Sequence, residues 1–361
     1  MAHASVAVVG DGIIGWSAAF ELARRGSAVT LFAGGHDGAA TPASGGMLVP
    51  YTEAHASAGS LDLAVRGLEA WDGFAARVRE ASGAPFEYRA AGTLEVADTG
   101  ERATALRART TAPWAAPARF AWLNAGELAA RAPFVRADVM GALLCPVHRL
   151  VDVRACLRAL QQAALAAGVV AAPGGAVQRV EPAADGVLIR DAAGAARFEH
   201  VVLAAGAWTQ TLDPFGRLGD RVHPVRGQLL RLHSDAVRSA HILWGSACYI
   251  VPWEDGTLLV GATSEDAGFD ARATASGVRA LLSAAEDLVP GLASATFVEV
   301  RVGLRPASGP GVPILGPARE DPRVVYATGH FRNGVLLAPV TAQLVADYIL
   351  ESALDPAFST P

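Results

Sequence analysis

The chain has 361 residues, 52% of them hydrophobic and 18% charged, with a formal net charge of −5 at pH 7. That is material for about two domains with large cores. It excludes a disordered or fibrous chain and offers no basic field to a nucleic-acid backbone. All 30 basic residues are Arg, so chemistry built on a Schiff-base lysine, a phosphate-loop lysine or a kinase lysine is excluded too.

Ser5–Val9 is a short apolar run rich in β-branched residues, residues 10–15 read GDGIIG, and Trp16–Arg25 carries helix formers. Gly26 suits the position just past a helix, and Ala28–Phe32 is a second apolar strand. This strand–turn–helix–strand context is the one a dinucleotide-binding fingerprint requires. Gly10 makes the tight turn, Gly12 lets backbone amides reach a pyrophosphate, and Gly15 lets helix and strand pack closely. Ile13 and Ile14 lie in the first turn, where the positive helix end meets the phosphates.

A small-residue loop, 34–46, follows, and Leu61–Val78 has helical spacing. Residues 86–144 mix short strand-like runs with Ala/Arg-rich helix. Val153–Ala167 reads as an amphipathic helix, Val169–Val180 leads to a strand, and Phe198–Ala205 reads as a buried strand ending at Gly206, with Trp208 after it. Val222–Leu232, Ala247–Pro252, Thr257–Ala262 and Thr296–Gly303 are strand-like and hairpin-spaced, which predicts a mostly antiparallel sheet. A Pro/Gly-rich stretch, 306–317, precedes a strand at Val324–Ala327 and a final helix at Val340–Leu350.

Cys145, Cys156 and Cys248 are too few and too scattered for a disulfide framework and suit a reducing compartment. The nine His show no metal-ligand spacing, so no metal is expected. The N-terminus lacks a basic n-region. Ala159–Gln178 is uncharged but is broken by Pro173 and Gly174-Gly175, so no membrane span is expected and the location read is the cytoplasm.

Seven segments in order carry a family resemblance: GDGIIG at 10–15, ASGGML at 43–48, VVLAAGAW at 201–208, CYIVP at 248–252, VGAT at 260–263, VGLRP at 302–306 and GHFRNGVLLAP at 329–339. Together they resemble the flavin amine oxidases of the D-amino-acid oxidase superfamily, most closely the glycine oxidases of thiamine biosynthesis. The resemblance implies an α/β fold. A Rossmann-like FAD-binding domain built from discontinuous segments (1–85, 145–215, 307–361) would join a mostly antiparallel, α+β substrate domain (86–144, 216–306). It implies non-covalent FAD and oxidative deamination of a small amino acid or amine (glycine, sarcosine or a D-amino acid) by hydride transfer, with O2 reoxidation giving H2O2. The alternative is a dehydrogenase passing electrons to a quinone or partner subunit. A homo-oligomer is expected, with no membrane or nucleic-acid partner.

The same resemblance implies the site. Arg305, in VGLRP, matches the carboxylate-binding arginine, whose guanidinium offers parallel charge-assisted hydrogen bonds. Tyr249, in CYIVP, matches a tyrosine adding a second donor, and Arg332, in GHFRNG, matches a second arginine near the pocket. Met47 and Glu53 match positions near the flavin and the pocket mouth. Flavin contacts are expected at Thr41, Ala43, Ser44, Gly46, Met47, Val177, Ala205, Gly206 and Trp208. They continue at Arg305, His330, Arg332, Asn333, Gly334, Val335 and Leu336, where a loop entering a helix would stabilise charge on the reduced flavin.

Two departures stand out. The superfamily's second strand ends in a Glu that holds the ribose, and this chain has Ala33. Either Asp37 or a backbone group substitutes, or FAD is held less tightly; the expectation is weakened but real binding. Ser264 stands where glycine oxidases carry a Met, and Ala247 where the family can show a His. Both changes predict a roomier or more polar pocket than one made for glycine.

Monomeric sarcosine oxidases resemble this fold but use a lysine over the flavin and a covalent cysteine. This chain has no Lys and no Cys after Cys248, which favours the glycine-oxidase branch.

Overall fold

The computed structural model describes residues 4–53, 58–309 and 311–359. Strand β1 (Ser5–Val9), helix α1 (Ile13–Arg24) and strand β2 (Ala28–Phe32) form as the spacing predicts. Gly26 has a φ of 97°, the left-handed turn that a β-carbon resists. A β-carbon on Gly15 would stand 1.9 Å from the Gly10 carbonyl oxygen, so α1 can lie on β1 only with glycine there.

β1 and β2 are central in a six-stranded sheet. Across it the strands run 314–317, 324–328, 200–203, β1, β2 and 170–171. All neighbours are parallel except the edge strand Ile314–Pro317, which pairs antiparallel with Val324–Thr328. Alternation along β1 sends Val6 and Val8 to one face and Ala7 and Val9 to the other. The first face packs on α1, Ala58–Ser82, Val153–Ala166 and Gly334–Glu351. The second packs on a three-stranded sheet, 179–183, 186–191 and 194–198. Both faces are covered, as parallel sheets require.

The second large sheet has eight strands in the order 296–308, 222–233, 257–261, 249–252, 242–244, 93–97, 141–145 and 121–124. All its pairings are antiparallel except that of 242–244 with 93–97. Its apolar face is closed by the helix Ala275–Leu288 through Leu281, Ala285 and Leu288.

Three elements differ from the sequence reading. The expected strand 198–205 is two strands, Gly194–Phe198 and His200–Leu203, that belong to different sheets. The strand expected to stop at Gly303 runs on to Ser308, so Arg305 lies within it, opposite Val225. Pro306 is tolerated because this strand is at the sheet edge, where a missing N–H breaks no ladder.

The last helix begins at Gly334, six residues before the expected Val340, and carries Pro339 inside it. A proline there has no N–H for the Val335 carbonyl, four residues back. Trp71, fully buried on the 58–82 helix, supplies the donor: its Nε1 lies 3.1 Å from the carbonyl oxygens of Val335 and Leu336. Among the described residues this is the one helix long and apolar enough to cross a membrane, and 67% of it is buried within the fold.

Replacing Trp71 with Phe keeps an aromatic ring but leaves the Val335 carbonyl without its donor. W71F should cost about 1–3 kcal/mol in denaturant unfolding. Stability equal to the parent would show that the helix does not depend on this bond.

Candidate active site

A single cavity of about 410 Å³ runs from the β1–α1 turn, past the carboxyl ends of β1, β2 and the 200–203 strand, to the face of the eight-stranded sheet. This is the crevice where open α/β sheets bind ligands. Two helix ends open into it. At the first, Gly12 is the N-cap of α1 and uses no side chain, and the Ile13 amide donates to Thr41 Oγ1 at 3.0 Å. At the second, Gly334 and Val335 open the last helix into the same cavity. Amides of a first helical turn have no partner within their helix, so each end offers donors and a positive field.

The loop before the second helix end is pinned. His330 is buried, with Nε2 3.0 Å from Thr341 Oγ1, and its carbonyl accepts from the Asn333 amide at 2.9 Å. Burial pushes the His330 imidazole down to about 3, so it stays neutral and structural. The Phe331 amide donates to the Pro306 carbonyl at 2.9 Å, which ties this loop to the strand that carries Arg305.

Arg305, Tyr249, Arg332, Glu53 and Met47 all line the far end of the cavity. Arg305 is fixed by one donor, Nη1 to the Thr263 carbonyl at 3.0 Å, which leaves the rest of its fork for an anion. A β-carbon on Gly227 would lie 2.3 Å from the guanidinium carbon, so Arg305 lies flat on bare backbone of the neighbouring strand. Tyr249 pairs with Gly261 across the next ladder, and its ring covers that glycine, where a β-carbon would come within 2.4 Å of the hydroxyl. These two glycines set the depth of the pocket.

Burial controls the charges. It pushes the Tyr249 hydroxyl up to about 12, so the group remains a donor. Burial also lowers the pKa of Arg305, while Tyr249 acts to raise it. Burial lifts the Glu53 carboxyl to about 7, against the pull of Arg332 and then Arg305. The Arg332 guanidinium stands 5.2 Å from the Phe331 ring centroid.

Most of the expected flavin contacts line the cavity: Gly10, Gly12, Ile13, Ile14, Thr41, Ala43, Ser44, Gly46, Val177, Ala205, Gly206, Trp208 and His330. Gly15, Asn333 and Leu336 do not. Gly15 is spent on the α1–β1 contact, and Leu336 is buried with its carbonyl on Trp71. Ser264 is also outside the cavity: it is exposed, and the neighbouring Ala262 faces the pocket instead. The turn at Thr263 is set by its hydroxyl to Glu265 Oε1 at 2.5 Å and by its amide to the Gln228 carbonyl. The pocket-size argument therefore rests on Ala247, which does line the cavity. Asp11, His36, Gly227 and Trp244 line it without having been foreseen. Asp11 lies inside the GDGIIG motif but at a position the fingerprint leaves open, and no local motif marks the other three, which strands and loops far apart in sequence bring in.

FAD fits these residues. A β-carbon on Gly12 would come 3.2 Å from Thr41 Oγ1, filling the gap a pyrophosphate needs. The second helix end lies beside the arginine pocket, where a flavin ring would need positive field. Among the described residues no His, Cys, Asp and Glu cluster could hold a metal.

Comparison with known proteins agrees. The model of the DAO family, described as FAD dependent oxidoreductase, matches residues 5–348. Glycine oxidase of Bacillus licheniformis is 31% identical over 345 residues, covering 95% of this chain and 92% of that protein. The crystal structure of glycine oxidase from Geobacillus kaustophilus superposes with a TM-score of 0.91 at 32% identity, over 99% of this chain and 97% of that one. Iminodiacetate oxidase from Chelativorans sp. BNC1 superposes with a TM-score of 0.89 at 28% identity, over 96% and 95%.

The raised Glu53 carboxyl has a consequence for stability. The folded chain holds this proton between pH 4.5 and about 7, where the unfolded chain has lost it. The proton uptake on folding therefore makes stability fall as pH rises through that window. E53Q removes the titration. With flavin removed, its unfolding free energy should gain on the parent's from pH 5 to pH 8; parallel curves would show that Glu53 titrates normally.

Proposed function

The chain belongs to the DAO family of FAD-dependent oxidoreductases, and from that premise we propose that it oxidatively deaminates a small amino acid or amine, with O2 as the acceptor. FAD, held between the Gly10–Ile14 turn and the Gly334–Val335 helix end, would supply the hydride acceptor for the substrate α-carbon, with O2 as the terminal oxidant giving H2O2. The observation that carries the substrate assignment is Arg305, a half-buried guanidinium with one bond fixed and the rest of its fork facing the cavity.

A guanidinium in this state suits a carboxylate, because two parallel charge-assisted bonds fix orientation as well as position. Tyr249, held neutral by burial, donates a further bond to the same group. Anchoring the carboxylate sets the direction in which the α C–H points, and orientation of this kind is a large part of rate enhancement. Arg332 and Glu53 set the charge around the substrate. Below about pH 7 Glu53 leaves the two arginines uncompensated; above it the carboxylate offsets one of them.

His330 is held neutral by burial, with Nε2 bonded to Thr341, so this lining imidazole is a weak base and serves the loop. That suits a substrate whose amine is neutral and whose hydride leaves directly. The first-turn amides at Gly334 and Val335 would then stabilise the negative charge that hydride transfer delivers.

The pocket near the carboxylate site is bounded by small groups, among them Ala247, Gly261 and Ala262. This favours a substrate larger than glycine, such as sarcosine, D-alanine or D-proline.

These four compounds, offered under air to the FAD-loaded protein with peroxide as readout, test the reading. Peroxide should form, with at least one of the larger three turned over as well as glycine. Peroxide from none would overturn it, and clear preference for glycine would overturn the roomy pocket. R305A should lower kcat/KM by about 100-fold or more, the scale of removing one partner from a buried charge pair. Y249F should lose roughly 3- to 10-fold, as for a single hydrogen bond.

A further inference from the structure

The dinucleotide fingerprint normally ends with an acid about 20 residues on, at the close of the second strand, which receives the ribose hydroxyls. Here the close of β2 is Phe32-Ala33-Gly34-Gly35, with no acid. Asp37, the next carboxylate in sequence, is exposed and outside the cavity. Among the described residues two carboxylates line the cavity, Asp11 and Glu53. Glu53 is at the arginine end. Asp11 is at the nucleotide end.

β1 and β2 are parallel neighbours with Val9 opposite Phe32, and the Gly10 amide donates to the Phe32 carbonyl at 2.9 Å. The residue that follows Gly10 therefore emerges beside the one that follows Phe32. Asp11 Oδ1 accepts from the Gly34 amide at 3.3 Å, which places its carboxylate at the end of β2. It also sits one residue before the N-cap of α1, where negative charge is favoured. One oxygen is held by the backbone, and the other is free to accept. The adjoining wall is His36 stacked on Trp208 at 4.5 Å, with both residues lining the cavity.

Resting on the FAD assignment, we propose that the Asp11 carboxylate does the work of the absent β2 acid and receives the ribose hydroxyls of the adenosine half of FAD. The acid has moved from the end of one strand to the end of its neighbour and stays in the same crevice. Binding at this end then needs neither Asp37 nor a side chain at residue 33.

The test uses the full chain freed of flavin and titrated by fluorescence with FAD and with its analogue carrying 2′,3′-dideoxyadenosine. The parent should bind FAD at least about tenfold tighter than the analogue, the scale of bonds to a charged acceptor. D11N should lose about that factor for FAD and change little for the analogue, closing a double-mutant cycle on the hydroxyls. Equal losses for both ligands would mean that Asp11 only shapes the Gly34 turn, and would overturn the proposal; so would undiminished FAD binding by D11N. Should D11N fold poorly, equal affinity of the parent for the two ligands overturns the proposal by itself. A parent that binds neither ligand would instead overturn the FAD assignment.

Discussion

The last helix reaches the cavity because Trp71 satisfies a carbonyl that Pro339 abandons. A proline six residues into a helix would normally move the start beyond it, since a buried carbonyl without a donor costs about as much as a lost hydrogen bond. With the indole N–H from the 58–82 helix in place, the helix instead begins at Gly334. Its first-turn amides open beside Arg332 and Val335 at the flavin end of the cavity. Two sequence segments more than 260 residues apart, joined by one indole, thus place the positive field.

The site as a whole uses backbone where other enzymes use side chains. Each end of the cavity receives a helix N-terminus, and its deepest walls are glycines on which Arg305 and Tyr249 lie. Backbone amides cannot be titrated away, and a guanidinium stays charged across any working pH. The variable charge left in the pocket is Glu53, whose carboxyl burial has lifted toward neutrality. A chain without a single Lys loses nothing by this arrangement.

Much of this was legible beforehand. GDGIIG between two apolar runs is a local pattern, and local patterns survive folding because their neighbours in space are their neighbours in sequence. Arg305, Tyr249 and Arg332 were also reached from the sequence, through motif resemblance, and the fold brings them to one cavity. Ser264, named as a pocket position through the same resemblance, lies outside the cavity: the turn it occupies is set by Thr263, Glu265 and Gln228, a network across strands that no window of sequence displays. The strand through Arg305 was cut short for a related reason, since a proline reads as a stop until the strand is known to be at an edge.

The sequence alone determined the dinucleotide turn, the two kinds of sheet and the absence of lysine chemistry, because these follow from spacing and composition. Tertiary structure decided which carboxylate stands at the end of β2, where the final helix begins and how deep the substrate pocket is. Those outcomes depend on which strands lie side by side and which donors meet which carbonyls. That is why Ala33, which reads as a missing acid along the chain, has Asp11 beside it in the fold.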